Sequence, residues 1–174
     1  MSEFKESCLT HYARAHKRFI GTKKDLDVLF YSDGLRDIWT AFEAFMSFKG
    51  FTGRPWIKIR DFSQEAGNVT IFSNWNRTTM FSQSIVILKR ESPVKNEENG
   101  KLVYLNNIDN LINNIDNLRE VLVFTYAPRG NQIHGAKDVT LDGTQGQRNR
   151  NLIEHSFKVV HEILQLFLQK EGLI

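Results

Sequence analysis

The sequence predicts an all-α chain, a bundle of four to five helices. Apolar residues recur at three and four over 35–48 and again over 149–170, the period of a helix with one buried face. No strand-like alternation competes convincingly with that pattern. Thirteen Phe and three Trp supply the bulk for a core, and 174 residues fit one domain, 1–174.

In chain order, residues 6–19 are mostly good helix formers, with sparse apolar positions (Leu9, Tyr12, Ala13, Phe19) and a basic face of Arg14, His16, Lys17 and Arg18. Over 35–48, Leu35, Ile38, Trp39, Phe42, Phe45 and Met46 form a clear stripe, with Asp33 as the expected N-cap and Lys49-Gly50 as the stop. Around Gly53, Pro55 and Gly67 the pattern loosens into a turn, a short helix and another turn. Residues 69–89 mix strand propensity (Val69, Ile71, Ile85, Val86, Ile87) with helical spacing (Phe72, Trp75, Met80, Phe81, Ile85, Leu88), and helix is the better fit.

Residues 92–101 read as a polar, charged loop. A short repeat follows, Asn107-Ile-Asp-Asn-Leu-Ile and then Asn114-Ile-Asp-Asn-Leu-Arg, which places Ile108, Leu111, Ile112, Ile115, Leu118, Val121 and Leu122 on one stripe. Asn and Asp are poor helix formers, so packing of that stripe must hold a helix over 104–126. Pro128 disfavours helical geometry at Ala127 and is well placed to open a new turn, which predicts a helix break with Arg129 in a first turn. Gly135, Gly143 and Gly146 mark 135–147 as a mobile loop, and 149–170 closes the chain as a long amphipathic helix.

Net charge is +3 with mixed signs along the chain, so an acidic partner is allowed but not demanded. Cys8 is the single cysteine and excludes an intramolecular disulfide or a Cys-based zinc site; a reducing cytoplasm fits it best. The charged N-terminus does not read as a signal peptide, and no apolar run is long enough for a membrane span. His11, His16, His155 and His161 lack ligand spacing with Asp, Glu or Cys, so neither a metal nor a cofactor is expected.

The chemistry concentrates in Arg129-Gly130-Asn131-Gln132-Ile133-His134-Gly135. Arginine stays charged and grips phosphate with a planar fork, while histidine both takes and gives a proton near neutrality. A phosphate clamp beside a proton shuttle is the minimal equipment for cutting RNA without a metal. A five-residue spacing leaves the two side chains about 140° apart on an ideal helix, so a long arginine must swing back toward the imidazole. The plainer alternatives are that His134 caps a helix ending at Gly135, that Arg129 pairs with an Asp or Glu at a subunit contact, and that Arg-x4-His is accidental in a helical interaction protein. Glu43, on the second helix, either faces the site or belongs to a solvated face. Lys137, Arg148 and Arg150 flank the motif as candidates for tracking an RNA backbone.

Tyr126-x2-Arg129-x-Asn131-x2-His134-Gly135-x-Lys137, followed by a variable loop and a long closing helix, is similar to the HEPN superfamily. The hallmark of that superfamily is Arg-x4-6-His, usually with Asn near the Arg and a His-Gly close. Trp39, Ala41-Phe42-Glu43 and Phe45 resemble its aromatic second helix. The motif-level likeness covers roughly residues 120–170. Pro128 and Gly130 depart from it, standing where ordinary helix formers are more usual. The resemblance implies a dimeric, metal-independent endoribonuclease, often a toxin or defence effector with a neutralising or regulatory partner protein. Arg129 would hold the scissile phosphate, His134 would handle a proton on the 2′-hydroxyl or the leaving oxygen, and Asn131 would orient one of them. Members without activity imply the alternative, a HEPN-like module that binds nucleotide, RNA or protein. The surplus of Phe is a separate reason to expect a homodimer.

Overall fold

The computed structural model describes residues 2–21, 30–91, 94–98, 101–105, 118–133 and 143–174. The chain is all-helical in class. Its helices are α1 (Glu3–Ile20), α2 (Phe30–Phe48), α3 (Pro55–Gln64), α4 (Ala66–Ser73), α5 (Thr79–Arg90), α6 (Leu118–Ile133) and α7 (Gly143–Lys170). The described residues hold one further regular element, an antiparallel hairpin of β1 (Val94–Glu98) and β2 (Lys101–Leu105) with Val94 opposite Leu105. That hairpin replaces the loop expected over 92–101. The repeat over 107–117 and the glycine loop over 135–142 lie outside the described residues, whereas 143–147 are the first turns of α7 rather than loop.

α2 and α7 carry the core. Trp39, Phe42, Phe45 and Met46 from α2 meet Phe157, Ile163, Leu164 and Phe167 from α7, with Phe62 of α3 edge-on to Phe42 and Phe167. Gly34 lets the helices approach: a Cβ there would sit 3.1 Å from the Phe157 ring. α2 starts at Phe30, so Asp33 is not its N-cap but lies inside the helix, paired with Arg36 and Arg18. It stops as expected. Gly50, at φ +92°, lets Phe51 N–H reach the Met46 carbonyl at 3.0 Å and Gly50 N–H reach that of Ser47 at 3.0 Å.

The helix expected over 69–89 is two helices. Asn74 and Asn76 weaken the interval, and Thr78 restarts the chain by accepting the Phe81 N–H at 3.0 Å.

α6 also departs from expectation, because it runs through Pro128 without ending. Proline has no N–H for the Phe124 carbonyl and costs about 3 kcal/mol inside a helix. Burial of Leu118, Val121, Leu122, Phe124 and Ala127 against α7 and its neighbours offsets that cost. Arg129 therefore sits near the end of a continuous helix, three residues and one turn from Tyr126. The Phe surplus is absorbed within one chain: of the thirteen, only Phe4 is exposed, so it does not call for a second subunit.

Candidate functional site

The seam between α2 and α6 is fixed first by packing. Trp39 is fully buried on α2, donates its indole N–H to the Thr125 carbonyl at 3.2 Å, and meets the Tyr126 ring edge-on at 5.0 Å. One turn further along each helix the seam becomes polar. Glu43 follows Trp39 by four residues and Arg129 follows Tyr126 by three, so both point into the same seam.

Arg129 is gripped on two sides. Its Nη1 donates to the Tyr126 hydroxyl at 2.8 Å, with the guanidinium 5.2 Å from the Tyr126 ring centroid. Its Nη2 lies 3.1 Å from Glu43 Oε1. The contact is an ion pair without an aligned hydrogen bond: Glu43 Oε1 and Arg129 Nε are both buried and have no hydrogen-bond partner among the described residues. The side chains keep only 17% and 20% exposure, for Arg129 and Glu43 in turn, so this pair is screened from water far better than a surface pair.

A second cation stands close by. Lys58 of α3 donates to Ser47 Oγ at 2.6 Å, and Ser47 Oγ donates to the Glu43 carbonyl at 2.9 Å. Burial lifts the Glu43 carboxyl above the ordinary glutamate value, and Arg129, then Lys58, pull it only part of the way back. Burial likewise pushes the Tyr126 phenol up against the pull of Arg129, so Tyr126 stays a neutral hydroxyl.

The chain matches no family model, no curated protein and no solved structure. The site must therefore be read from its own geometry.

Of the residues singled out in the sequence, Arg129 is placed in this cluster. Asn131 falls in the last turn of α6, and its side chain lies outside the described residues, as do His134 and Lys137. Arg148 belongs to another seam, where its Nη2 donates to the Glu91 carbonyl at the end of α5 at 2.8 Å, beside Asn151 on the Glu91 carboxylate. Arg150 is half-buried on α7. Glu43 is the residue that sequence reasoning undervalued. Its signal was present: positions 39, 43 and 46 fall on one helical stripe, so a carboxylate at 43 shares the side of Trp39 and Met46. Among the described residues, no three His, Cys, Asp or Glu side chains converge as a metal-binding set. None of the described helices is long and apolar enough to cross a membrane.

Proposed function

We propose that this chain is an endoribonuclease of HEPN type, which cuts single-stranded RNA by attack of the 2′-hydroxyl without a metal. Arg129 holds the scissile phosphate and steadies the charge that builds on its oxygens, and His134 moves a proton, with Asn131 orienting the pair. The observation that carries this reading is the setting of Arg129. Most arginines at a helix end wave in solvent, where a phosphate must first order them. Arg129 is instead clamped by Tyr126 and Glu43 in a screened seam. A preorganised cation in low dielectric stabilises transition-state charge far more than a mobile one. The HEPN-like bundle, a homodimer that opposes two such sites, a cytoplasmic setting and a toxin or defence role with a neutralising partner protein belong to the same proposal.

The test is incubation of single-stranded RNA with the purified protein in EDTA. The expected products carry 2′,3′-cyclic phosphate and 5′-hydroxyl ends. His134→Ala should lower the rate roughly 10²–10⁴-fold. Arg129→Lys should be severely impaired, because lysine cannot grip phosphate bidentately. Undiminished cutting by His134→Ala would sink the mechanism.

The same ion pair also favours a second reading, a HEPN-like module that binds RNA, nucleotide or protein without cutting. A cation already committed to Glu43 is the arrangement of a structural pair. RNA binding that depends on Arg129, with no cleavage at any pH, would select it.

A further inference from the structure

Among the described residues two aromatic rings stand out in solvent, Phe4 of α1 at 52% exposure and Trp56 of α3 at 44%. Their settings differ. Phe4 lies between Glu3 and Lys5, with Glu6 two residues on. Trp56 lies in the stretch 49–60, which carries Lys49, Arg54, Lys58 and Arg60 and no carboxylate. The other two tryptophans are packed, Trp39 against Phe42 and Tyr126 and Trp75 against Phe72 and Phe81. No ring among the described residues packs on Trp56, although tryptophan is on average a well-buried residue.

We propose that Trp56, flanked by Arg54 and Arg60, is a stacking platform for one base of single-stranded RNA. The inference rests on RNA being the ligand, as in the reading above, and it needs no residue of the Arg129 cluster. Arg60 follows Trp56 by four residues and so shares its face of α3, one turn along, while Arg54 is the exposed residue at which α3 begins. An indole offers any base a π-face, and a cation on either side meets the phosphates that flank that base. That combination fits a single strand, whose bases are free to unstack, and not a duplex.

The charges are placed for that use. Arg54 makes no hydrogen bond or ion pair through its side chain among the described residues. Arg60 Nε donates to Asp61 Oδ1 at 2.7 Å, but both side chains are more than two-fifths exposed, where such a pair holds weakly and a phosphate competes for the guanidinium. Lys49 is taken by Glu171 at 2.7 Å and Lys58 by Ser47 Oγ at 2.6 Å. Ser47 in turn donates to the Glu43 carbonyl, so Lys58 ties α3 to the polar corner of the α2–α6 seam. The platform therefore stands on the helix that borders the Arg129 cluster and holds a nucleotide beyond the one that is cut.

The experiment is binding of a dye-labelled 2′-O-methyl decanucleotide, which has no free 2′-hydroxyl and is not cut, followed by anisotropy. Trp56→Ala should bind roughly 5- to 150-fold more weakly than the wild type, the loss expected of one stacked base, and Trp56→Phe should recover part of it. Phe4→Ala should bind as the wild type does. Arg54→Gln should weaken binding and lower the slope of log affinity against log salt by about 0.7. Unlabelled oligonucleotide should quench the tryptophan emission of the wild type, and Trp56→Phe, which keeps Trp39 and Trp75, should lose most of that quench. Urea unfolding shows whether each variant is folded, and if Trp56→Ala is not, Trp56→Phe carries the test through its lost quench. Equal binding by Trp56→Ala and the wild type, an undiminished quench in Trp56→Phe, or the same loss in Phe4→Ala would overturn the platform. So would a dimer that Trp56→Ala dissolves with RNA binding intact, which would make this face a contact between copies of the chain. Cutting by a wild type whose binding is absent or ignores Trp56 would overturn the platform alone. Binding that depends on Trp56 without any cutting of RNA would overturn the ribonuclease reading alone. A wild type that neither binds nor cuts would overturn both.

Discussion

Two seams in this molecule bury polar side chains, and they do so in opposite ways. Between α1 and α7, His16 Nδ1 lies 3.0 Å from Nε2 of the fully buried His161, and the imidazoles sit in a stack with Tyr12 and Phe19. Burial, and then His16, drive the His161 pKa down to about 3, so the ring stays neutral. Between α2 and α6, Glu43 and Arg129 face each other with opposite charges in a less enclosed place, about a fifth exposed, and each keeps a buried atom without a described partner. The first seam avoids the cost of burying charge by titrating it away. The second retains charge; a buried atom without a partner among the described residues occurs in both, His161 Nδ1 in the first and Glu43 Oε1 and Arg129 Nε in the second, so the retained charge is what separates them.

The largest effect that would sharpen this contrast is on activity. Arg129→Ala should reduce RNA cleavage by about 10²–10³-fold or more, since it removes the group that stabilises charge on the phosphate. Its fold should survive, as read by circular dichroism. Loss of the helical signal would move the α2–α6 pair into the structural class.

The α1–α7 seam should answer in stability instead. His161→Ala opens a cavity beneath Phe19 and Phe157 and should cost about 3 kcal/mol, the scale of a large-to-small core change, with RNA cleavage by the folded fraction unchanged. Urea titration and a single-turnover assay on the same sample check both halves.

Acid separates the seams further. His161 and His155, whose pKa is lowered to about 4 chiefly by burial, resist protonation when folded but accept protons near pH 6.5 when unfolded. Stability present above pH 6.5 should therefore be lost as pH falls, by about 1.4 kcal/mol per unit for each such histidine, until the folded pKa is reached. Glu43 and Glu162 work the other way, because their raised pKa values make the folded chain the better proton binder. Their burial cost is relieved as pH falls through those values, which blunts the acid loss. His161→Phe should remove a large part of the slope below pH 6.5, and an unchanged slope would show that His161 is not held neutral.

Trp39→Phe is the mildest probe. It keeps the ring against Tyr126 but drops the bond to the Thr125 carbonyl, and should cost about 1 kcal/mol in thermal unfolding.

What the sequence could show of this contrast follows from where its signal lies. The stripe Leu35, Ile38, Trp39, Phe42, Phe45 and Met46, and that of the closing helix, were legible because their apolar faces are simply buried. α6 was misread at Pro128 because a local preference lost to tertiary packing, which no window of neighbours reveals. The hairpin was passed over as loop because its strands carry Lys95, Glu97, Glu98 and Lys101, although the Asn99-Gly100 dipeptide between them is a strong turn signal. Arg129 stood out by motif. Glu43 did not, because a glutamate on a helix is ordinarily solvated and its partner lies 86 positions along the chain.

The difference between the seams is tested most directly by replacing the pair rather than breaking it. Removing one member leaves a lone buried charge, whereas Glu43→Leu with Arg129→Met fills the seam with apolar groups of similar size. If the pair is kept for function, urea unfolding should find the double variant as stable as the wild type or more so. A loss of about 3 kcal/mol or more would instead show that the ion pair holds the fold, and would contradict the functional reading of the seam.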